Sequence, residues 1–499
     1  MKIKAHPQHF FLDKLAEGVV FSSATLIIGR ILGFITTFLL ARLGTELFGL
    51  YNLSFSIFST VSILSLLGIS IGVTRYISFF LGRGQKKQIK NVFLTALVIV
   101  LPFSLFLSSL IYFFPDSIAF LFKENQIAFY LKFFAMAIPF GVFIVLVKAV
   151  LSGFLKIKYL FLIENFEFLM ILIFTAFFLS IGWQLTGGII AYLISLILTS
   201  FLACFFLFRT ISLKNPQFVF FKELVSFSWP VSLSEIIRNL ALNADLWVLG
   251  FFKNASIIGV YSLGLALASL MLVLPQIFLQ FFSPIISRFY GNHKKINDVY
   301  QMLTYWLFAL LFPVFLFTIL NGQQVIILFF GSEYTLSWGV LFFLSLSQLF
   351  FGLFIFGGRQ ILDVLKLTKY NLFLTILRII IFSLLLLVLV PRWGMMGASL
   401  SLLIGFSVEA IFCLIKIFKK TGIFFLNRRY LATIFLAFLP CFLFISFPWL
   451  NFLNPFFRLF LNLFLYFLIY ALLNMKFNLH EIDKVFLKSV LSKTKIRKL

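Results

Sequence analysis

The chain has 499 residues, 62% of them hydrophobic and 11% charged, and carries a formal net charge of +25. A soluble domain is about 45–50% apolar and about 25% charged, so this chain cannot cover an apolar core with a polar surface, and disorder, collagen and coiled coil are excluded by the same figures. The apolar runs are continuous rather than alternating, which excludes an outer-membrane barrel, and many reach the roughly 20 residues that cross a bilayer as a helix.

In chain order the pattern predicts an all-α polytopic membrane protein of about fourteen spans: 18–41, 50–78, 91–114, 128–152, 160–181, 187–208, 224–250, 257–285, 299–320, 336–358, 369–390, 395–416, 430–447 and 456–473. The first run, Val19 to Leu40, is too long for the apolar region of a signal peptide. The basic residues sit mostly in loops on one side, among them Arg83, Lys86, Lys87 and Lys90, then Lys156 and Lys158, then Arg288, Lys294 and Lys295. Only Arg42, Lys123, Lys132, Lys253, Arg392 and Arg458 fall in the opposite loops. The positive-inside rule therefore expects both termini in the cytoplasm of a cytoplasmic (inner) membrane protein. The same placement explains the net charge without nucleic acid.

The chain repeats itself at a spacing of about 210. Gly49-Leu-Tyr51-Asn-Leu53 matches Gly259-Val-Tyr261-Ser-Leu263, Leu155-Lys156 matches Leu365-Lys366, and Trp183 and Gly187 match Trp393 and Gly397. Two pseudo-symmetric six-helix lobes are expected, over 1–215 and 216–425, related by an axis along the membrane normal. Two added spans occupy 426–475. The basic stretch 476–499 has the spacing of an amphipathic helix that would lie on anionic lipids.

Several charges fall inside spans, where insertion costs about 2.5–3.5 kcal/mol each. Arg30 in the first span and Arg238 in the seventh lie at matching depth in the two lobes. Two guanidiniums facing a cleft would hold an anion, because the planar fork suits phosphate oxygens; an internal pair of Arg238 with Glu235 or Asp245 is the structural alternative. Glu235, Arg238, Asn239, Asn243 and Asp245 share one arc of the seventh span, a polar stripe expected to line something wet. Glu235 and Asp245 are candidates for coupling to H⁺ or Na⁺. Glu167 and Arg378 fall on one another at a spacing of 211, with Glu164 one turn away, and Glu409 is a lone acid of the twelfth span. Asn239, Asn243 and Arg378 join the candidate anion site, Glu167 and Glu409 the candidate coupling sites. Arg75 and Lys148, near span ends, are read as reaching back to the interface. Cys204, Cys413 and Cys441 lie in apolar runs without ligand spacing and are read as small buried hydrophobes. No Walker A, His-Glu-x-x-His or Gly-x-Ser-x-Gly sequence occurs and the loops are short, so neither an enzyme nor a bound cofactor is expected.

Gly29-Arg30-Ile-Leu-Gly33-Phe34, Leu40-Ala41-Arg42-Leu-Gly44 and Phe48-Gly49-Leu-Tyr51 resemble the first-helix signature of the polysaccharide and oligosaccharide flippases (O-antigen-flippase-like), in the multidrug/oligosaccharidyl-lipid/polysaccharide exporter superfamily. Asn243-Ala-Asp245 with Leu249-Gly250 and Gly259-Val-Tyr261 is similar to their seventh helix and the turn after it. The resemblance implies a flippase that moves polyprenyl-diphosphate-linked oligosaccharide across the cytoplasmic membrane by alternating access. It implies polysaccharide polymerase and glycosyltransferases as partners. Lipid II flippases of the superfamily add an Arg-Asp pair where this chain has Ile35, Thr36 and Thr37, which argues against lipid II. The cation-coupled drug exporters usually have twelve spans and an acid in the first helix; here that helix carries Arg30. An enzyme or scaffold of a polysaccharide synthase complex is the reading from another class.

Overall fold

The computed structural model describes residues 7–212, 220–288, 293–422, 428–446 and 454–477, and every regular element among them is a helix. Eleven helices among the described residues are long and apolar enough to cross a membrane. The predicted tail helix, 476–499, lies outside the described residues beyond Phe477.

The chain forms two compact units. The first comprises Met1–Ala266 with Ser383–Ala398, the second Leu267–Phe382 with Ser399–Leu499. In the first unit run α1 (Pro7–Ala41), α2 (Thr45–Leu66), α3 (Ile69–Gly82), α4 (Lys86–Phe113), α5 (Pro115–Phe122), α6 (Gln126–Gly153), α7 (Ile157–Ser180), α8 (Gln184–Thr210), α9 (Phe221–Phe252) and most of α10 (Ala255–Ser269). α6 is the central helix, packed by α2, α3, α4 and α8, and α7 lies between α1 and α8. The polarity is the reverse of a soluble protein. Phe201 is 69% exposed, while Ser54, Ser104 and Ser195 are buried, as expected when the solvent is hydrocarbon.

The second predicted span is not one helix. It breaks at Leu67–Gly68, both with left-handed backbone (φ 49° and 66°). A Cβ at Gly68 would stand 2.7 Å from the Ser232 backbone nitrogen. Glycine therefore permits both the turn and the close approach of α9. The corresponding span of the second repeat is broken too: α10 is followed by a 3-10 turn, Leu270–Leu272, before α11 (Val273–Arg288).

The first sequence repeat becomes a structural contact. Gly49 and Gly259, matched in the repeat, meet where α2 crosses α10. A Cβ at Gly49 would fall on the Ala255 carbonyl, and one at Gly259 on the Thr45 carbonyl. The Ala255 backbone N–H at the start of α10 donates to Glu124 Oε1 at 2.9 Å. Nearby, Lys253 Nζ donates to the Pro391 carbonyl at 3.2 Å.

The second unit holds α12 (His293–Phe330), α13 (Ser337–Phe350), a π-helical segment (Phe351–Phe356), α14 (Gly357–Val364), both ends of α15 (Thr368–Thr421), α16 (Arg428–Ser446) and α17 (Pro455–Phe477). α15 contains two predicted spans joined at Gly394, whose backbone (φ 54°, ψ −130°) is non-helical. With α15 counted twice and the interrupted helices counted as single spans, the fourteen-span arrangement stands. The two helices added after the repeat pack on α12. The Tyr470 hydroxyl donates to the Ala309 carbonyl at 2.6 Å, and the Tyr305 hydroxyl to Asn474 Oδ1 at 3.1 Å. Cys413 and Cys441 are buried free thiols.

Candidate functional site

The polar stripe of α9 divides into two sets. Asn239 Oδ1 accepts from the Thr60 hydroxyl at 2.9 Å, and Asn243 Nδ2 donates to Asn239 Oδ1 at 3.2 Å. Trp247 Nε1 donates to the Ser56 hydroxyl at 2.9 Å. Ser56 and Thr60 are one turn apart on α2, so the two helices are joined by a ladder of side-chain hydrogen bonds. In hydrocarbon such a ladder holds helices together, since neither partner has water to bond instead. Asp245 is buried and accepts from the Tyr261 hydroxyl at 2.7 Å. Arg238 lies apart from the ladder, paired with Glu235 on its own helix, with its side chain 61% exposed.

Arg30 sits beside the seam between α1 and α7. Along that seam a Cβ at Gly29 would lie 2.7 Å from the Phe168 ring, and Asn165 Nδ2 donates to the Thr25 hydroxyl at 3.3 Å. Arg30 is half-buried, and among the described residues no carboxylate pairs with it. Gly33, one turn on, faces open space, with nothing within 4 Å of where its Cβ would stand.

The remaining charges form two clusters. In the first unit Lys148 Nζ on α6 lies 3.3 Å from Glu164 Oε1 on α7, and Glu167 lies within electrostatic reach of both. The Tyr192 hydroxyl is close enough to feel Glu167. In the second unit the fully buried Glu409 carboxylate is shared by two arginines. Arg359 Nε donates to Oε1 at 2.9 Å, and Arg378 Nε lies 2.8 Å from Oε2. Arg378 also stands over the Phe406 ring, 5.0 Å from its centre.

Local sequence makes this triad. A Cβ at Gly358 would be 2.6 Å from Cys413 Sγ, so glycine lets α14 press against the second half of α15. Arg359 is the next residue, and Glu409 is one turn before Cys413. The π-helical segment just upstream frees a carbonyl, and the Cys413 thiol donates to Phe354 O at 3.6 Å. π-Helical segments commonly accompany functional sites.

Four of these residues do not stand out in the sequence as site residues. Arg359 reads as a loop cation at a predicted span end, but α14 carries it inside the helix. Lys148 reads as an interfacial lysine and instead pairs inside the unit. Ser56 and Thr60 look like ordinary small residues of an apolar span. A signal for Arg359 exists: at the spacing of 211 that superposes Glu167 on Arg378, Lys148 falls on Arg359.

A family model described as "Polysaccharide biosynthesis protein" matches residues 39–338. No curated protein matches in sequence. Among solved structures, one described as the lipid II flippase MurJ in an inward closed conformation is 18% identical with a TM-score of 0.74, over 92% of this chain and 98% of that one. An inward-facing multidrug resistance MATE family transporter of the MOP superfamily is 17% identical with a TM-score of 0.63, over 81% and 98%. An outward-facing MATE transporter of the same superfamily gives 19% and 0.59, over 82% and 96%. At these identities the likeness is one of fold.

Proposed function

We propose that this chain, which belongs to the polysaccharide biosynthesis protein family, flips polyprenyl-diphosphate-linked oligosaccharide from the cytoplasmic to the outer leaflet, with Arg30 and Arg238 contacting the diphosphate. Its family and fold are those of membrane transporters and flippases.

The observation that carries the reading is Arg30. A guanidinium inside a spanning helix is costly unless an anion accompanies it. Arg238, Arg359 and Arg378 each have a carboxylate partner, Glu235 for the first and Glu409 for the other two, and Arg75, near a span end, stacks on the Phe227 ring. Arg30 has no carboxylate partner among the described residues, and the space beside Gly33 is open. A mobile diphosphate would complete it, delivered by the cargo and lost again on release. Arg238 can join, since an exposed ion pair is worth little and exchanges one anion for another at small cost. Coupling to H⁺ or Na⁺ would fall to Glu167, because Glu235, Asp245 and Glu409 are each held by a partner. The basic loops would put both termini in the cytoplasm. Cysteines placed at Asn254 and Ser332 should then be labelled by an impermeant reagent outside intact cells, and one at Gln85 should not.

The test is cargo selection by the purified protein in vesicles. A labelled polyprenyl-diphosphate oligosaccharide should cross. The same glycan on an uncharged polyprenol, and a lipophilic cationic dye, should not. Transport of the dye without the diphosphate would replace this reading with small-molecule export, and equal transport of lipid II would widen the cargo class.

A further inference from the structure

Glu167 is half-buried inside the span formed by α7, and its carboxylate forms no hydrogen bond or ion pair among the described residues. Lys148 and Glu164, which pair with each other, lie within electrostatic reach of it. The three side chains together carry one unbalanced negative charge. An unbalanced charge in a span is costly, and one added proton removes it. A metal cation would remove it too, but would stand near the Lys148 ammonium, a like charge. The third neighbour of α7, α1, meets it at Thr25 and Gly29 and carries Arg30 beside the latter.

The register of α7 and α8 shows what stands across from Glu167. The two helices run antiparallel and touch near both ends. At one end the Tyr159 and Phe206 rings stack at 4.4 Å. At the other a Cβ at Gly187 would lie 2.8 Å from Phe178 Cβ. Counting inward at equal rise from either pair puts Glu167 opposite residue 198. The next residue, Thr199, is fully buried, and its hydroxyl has no hydrogen-bond partner among the described residues. Thr199 lies two turns from Phe206 on the same face of α8, the face that meets α7. Buried hydroxyls are bonded as a rule, so one left over across from an unpartnered carboxylate marks a bond made in another protonation state.

A way in follows the same face of α8. Tyr192 stands two turns before Thr199, and its hydroxyl is close enough to feel both Glu167 and Tyr51. The Tyr192 ring lies 5.5 Å from the Phe55 ring and 5.9 Å from Phe134, and Tyr51 packs on the same two rings at 6.1 Å and 6.0 Å. Neither tyrosine hydroxyl is held by a hydrogen bond among the described residues. At about 1.5 Å per residue, Tyr51 lies about 9 Å, Tyr192 about 12 Å and Glu167 about 20 Å from the helix ends that face away from the basic loops. The three groups therefore step inward from the side read above as the outside.

We propose that Glu167 is a proton-carrying site, reached from the outer side past Tyr51 and Tyr192, and that Thr199 is its positioning residue, donating its hydroxyl to the carboxyl when the proton is bound. The proposal rests on the coupling role given to Glu167 above and names the ion and the groups that handle it. The proton is taken from water on one side and returned to water on the other, so nothing else is consumed.

The test is infrared difference spectroscopy of the full chain in lipid, recorded between high and low pH without cargo. The wild type should show a carboxylic-acid C=O band that Glu167→Gln lacks. In Thr199→Val that band should move to higher frequency, as for a carbonyl that has lost a hydrogen bond, and Thr199→Ser should return it. Thr199→Ala carries the same expectation if the valine variant does not fold. Saturating Na⁺ at fixed pH should leave the band in place. After an acid jump outside sealed vesicles, Tyr192→Phe should slow the appearance of the band several-fold without moving it. Absence of any band that depends on Glu167 overturns the proposal, as does its loss to Na⁺, which would make this a metal-ion site. An unmoved band in both Thr199→Val and Thr199→Ala overturns the positioning role, and an unchanged rate in Tyr192→Phe overturns the route. No cargo is present in these measurements. A protein that shows the band but does not flip a diphosphate-linked glycan would lose the cargo reading and keep the proton site.

Discussion

In the Lys148–Glu164–Glu167 group of α6 and α7 and the Arg359–Arg378–Glu409 group of α14 and α15, two members correspond at the spacing of 211, Lys148 with Arg359 and Glu167 with Arg378, while Glu164 and Glu409 have no charged counterpart, and the two groups are opposite in charge balance. The first has one cation for two carboxylates and is partly open, with Lys148 and Glu164 side chains 25% and 36% exposed. The second has two cations for one carboxylate and is closed around its acid, with Glu409 at 0%, Arg378 at 12% and Arg359 at 28%. The repeat keeps two of the places where charge is held and changes what is held there. A closed cluster with all its groups engaged is a structural element, because any change of charge is felt in low dielectric. An open cluster with a spare carboxylate can exchange ions without that cost. The comparison assigns stability to the second unit's triad, and the proposed ion coupling would fall to the first unit's group.

The sharpest way to break this contrast is Glu409→Gln. It leaves two arginines around a neutral amide, and removing one partner of a buried pair costs about 3–5 kcal/mol. The variant should unfold at a clearly lower temperature in detergent, whatever the cargo. A Glu409→Gln protein as stable as the wild type would show that the triad holds nothing together.

Gly358→Ala should follow in size. Its methyl would press on Cys413 Sγ, and overpacking of this kind costs about 1–3 kcal/mol. Adding Cys413→Ala should recover part of that loss, so the double variant should be more stable than the sum of the singles predicts. Strict additivity would mean that α14 and α15 do not set each other's distance here.

Glu167→Gln sharpens the contrast from the other side. It should change thermal stability by less than about 1 kcal/mol, since no ion pair or hydrogen bond is broken. Transport should lose its dependence on an imposed H⁺ or Na⁺ gradient. Unchanged gradient dependence would leave the spare carboxylate without a coupling role. The smallest effect is expected at the α2–α9 ladder: Asn243→Leu should cost about 0.6 kcal/mol, the average for a side-chain hydrogen bond between spanning helices. A loss several times larger would make the ladder a principal brace.

How much of this was legible in the sequence follows from which forces are local. Span number, the repeat and the added pair of helices follow from apolar length and from matched motifs such as Gly49 and Gly259. Helix breaks depend on neighbours: Leu67 and Gly68 lie in an ordinary apolar run, and what turns the chain there is α9 arriving against Gly68. The π-helical segment is equally hidden, because Phe351–Phe356 reads as any apolar turn and its lost regularity is compensated by Cys413, 59 residues on from Phe354. The charges were visible one by one, but their partners were not. Asn239 and Asn243 share an arc with Arg238, and only packing reveals that their amides are taken by α2 while the arginine stays exposed. A positional signal existed for Lys148 and Arg359, at the spacing already used for Glu167 and Arg378.

The central claim is that Arg30 is completed by the cargo's diphosphate, and substitution at that residue tests it most directly. A charge-assisted hydrogen bond is worth about 1.5–3 kcal/mol, or about a factor of ten or more in affinity. In vesicles supplied with a labelled polyprenyl-diphosphate oligosaccharide, Arg30→Ala should transport about tenfold less well or worse at limiting cargo. Arg30→Lys should recover only part of that, because the ammonium lacks the two-pronged fork. Arg75→Ala, at an exposed arginine stacked on Phe227, should lose far less. A folded Arg30→Ala protein that flips the labelled diphosphate at the wild-type rate would contradict the account and leave Arg30 without a role in cargo binding.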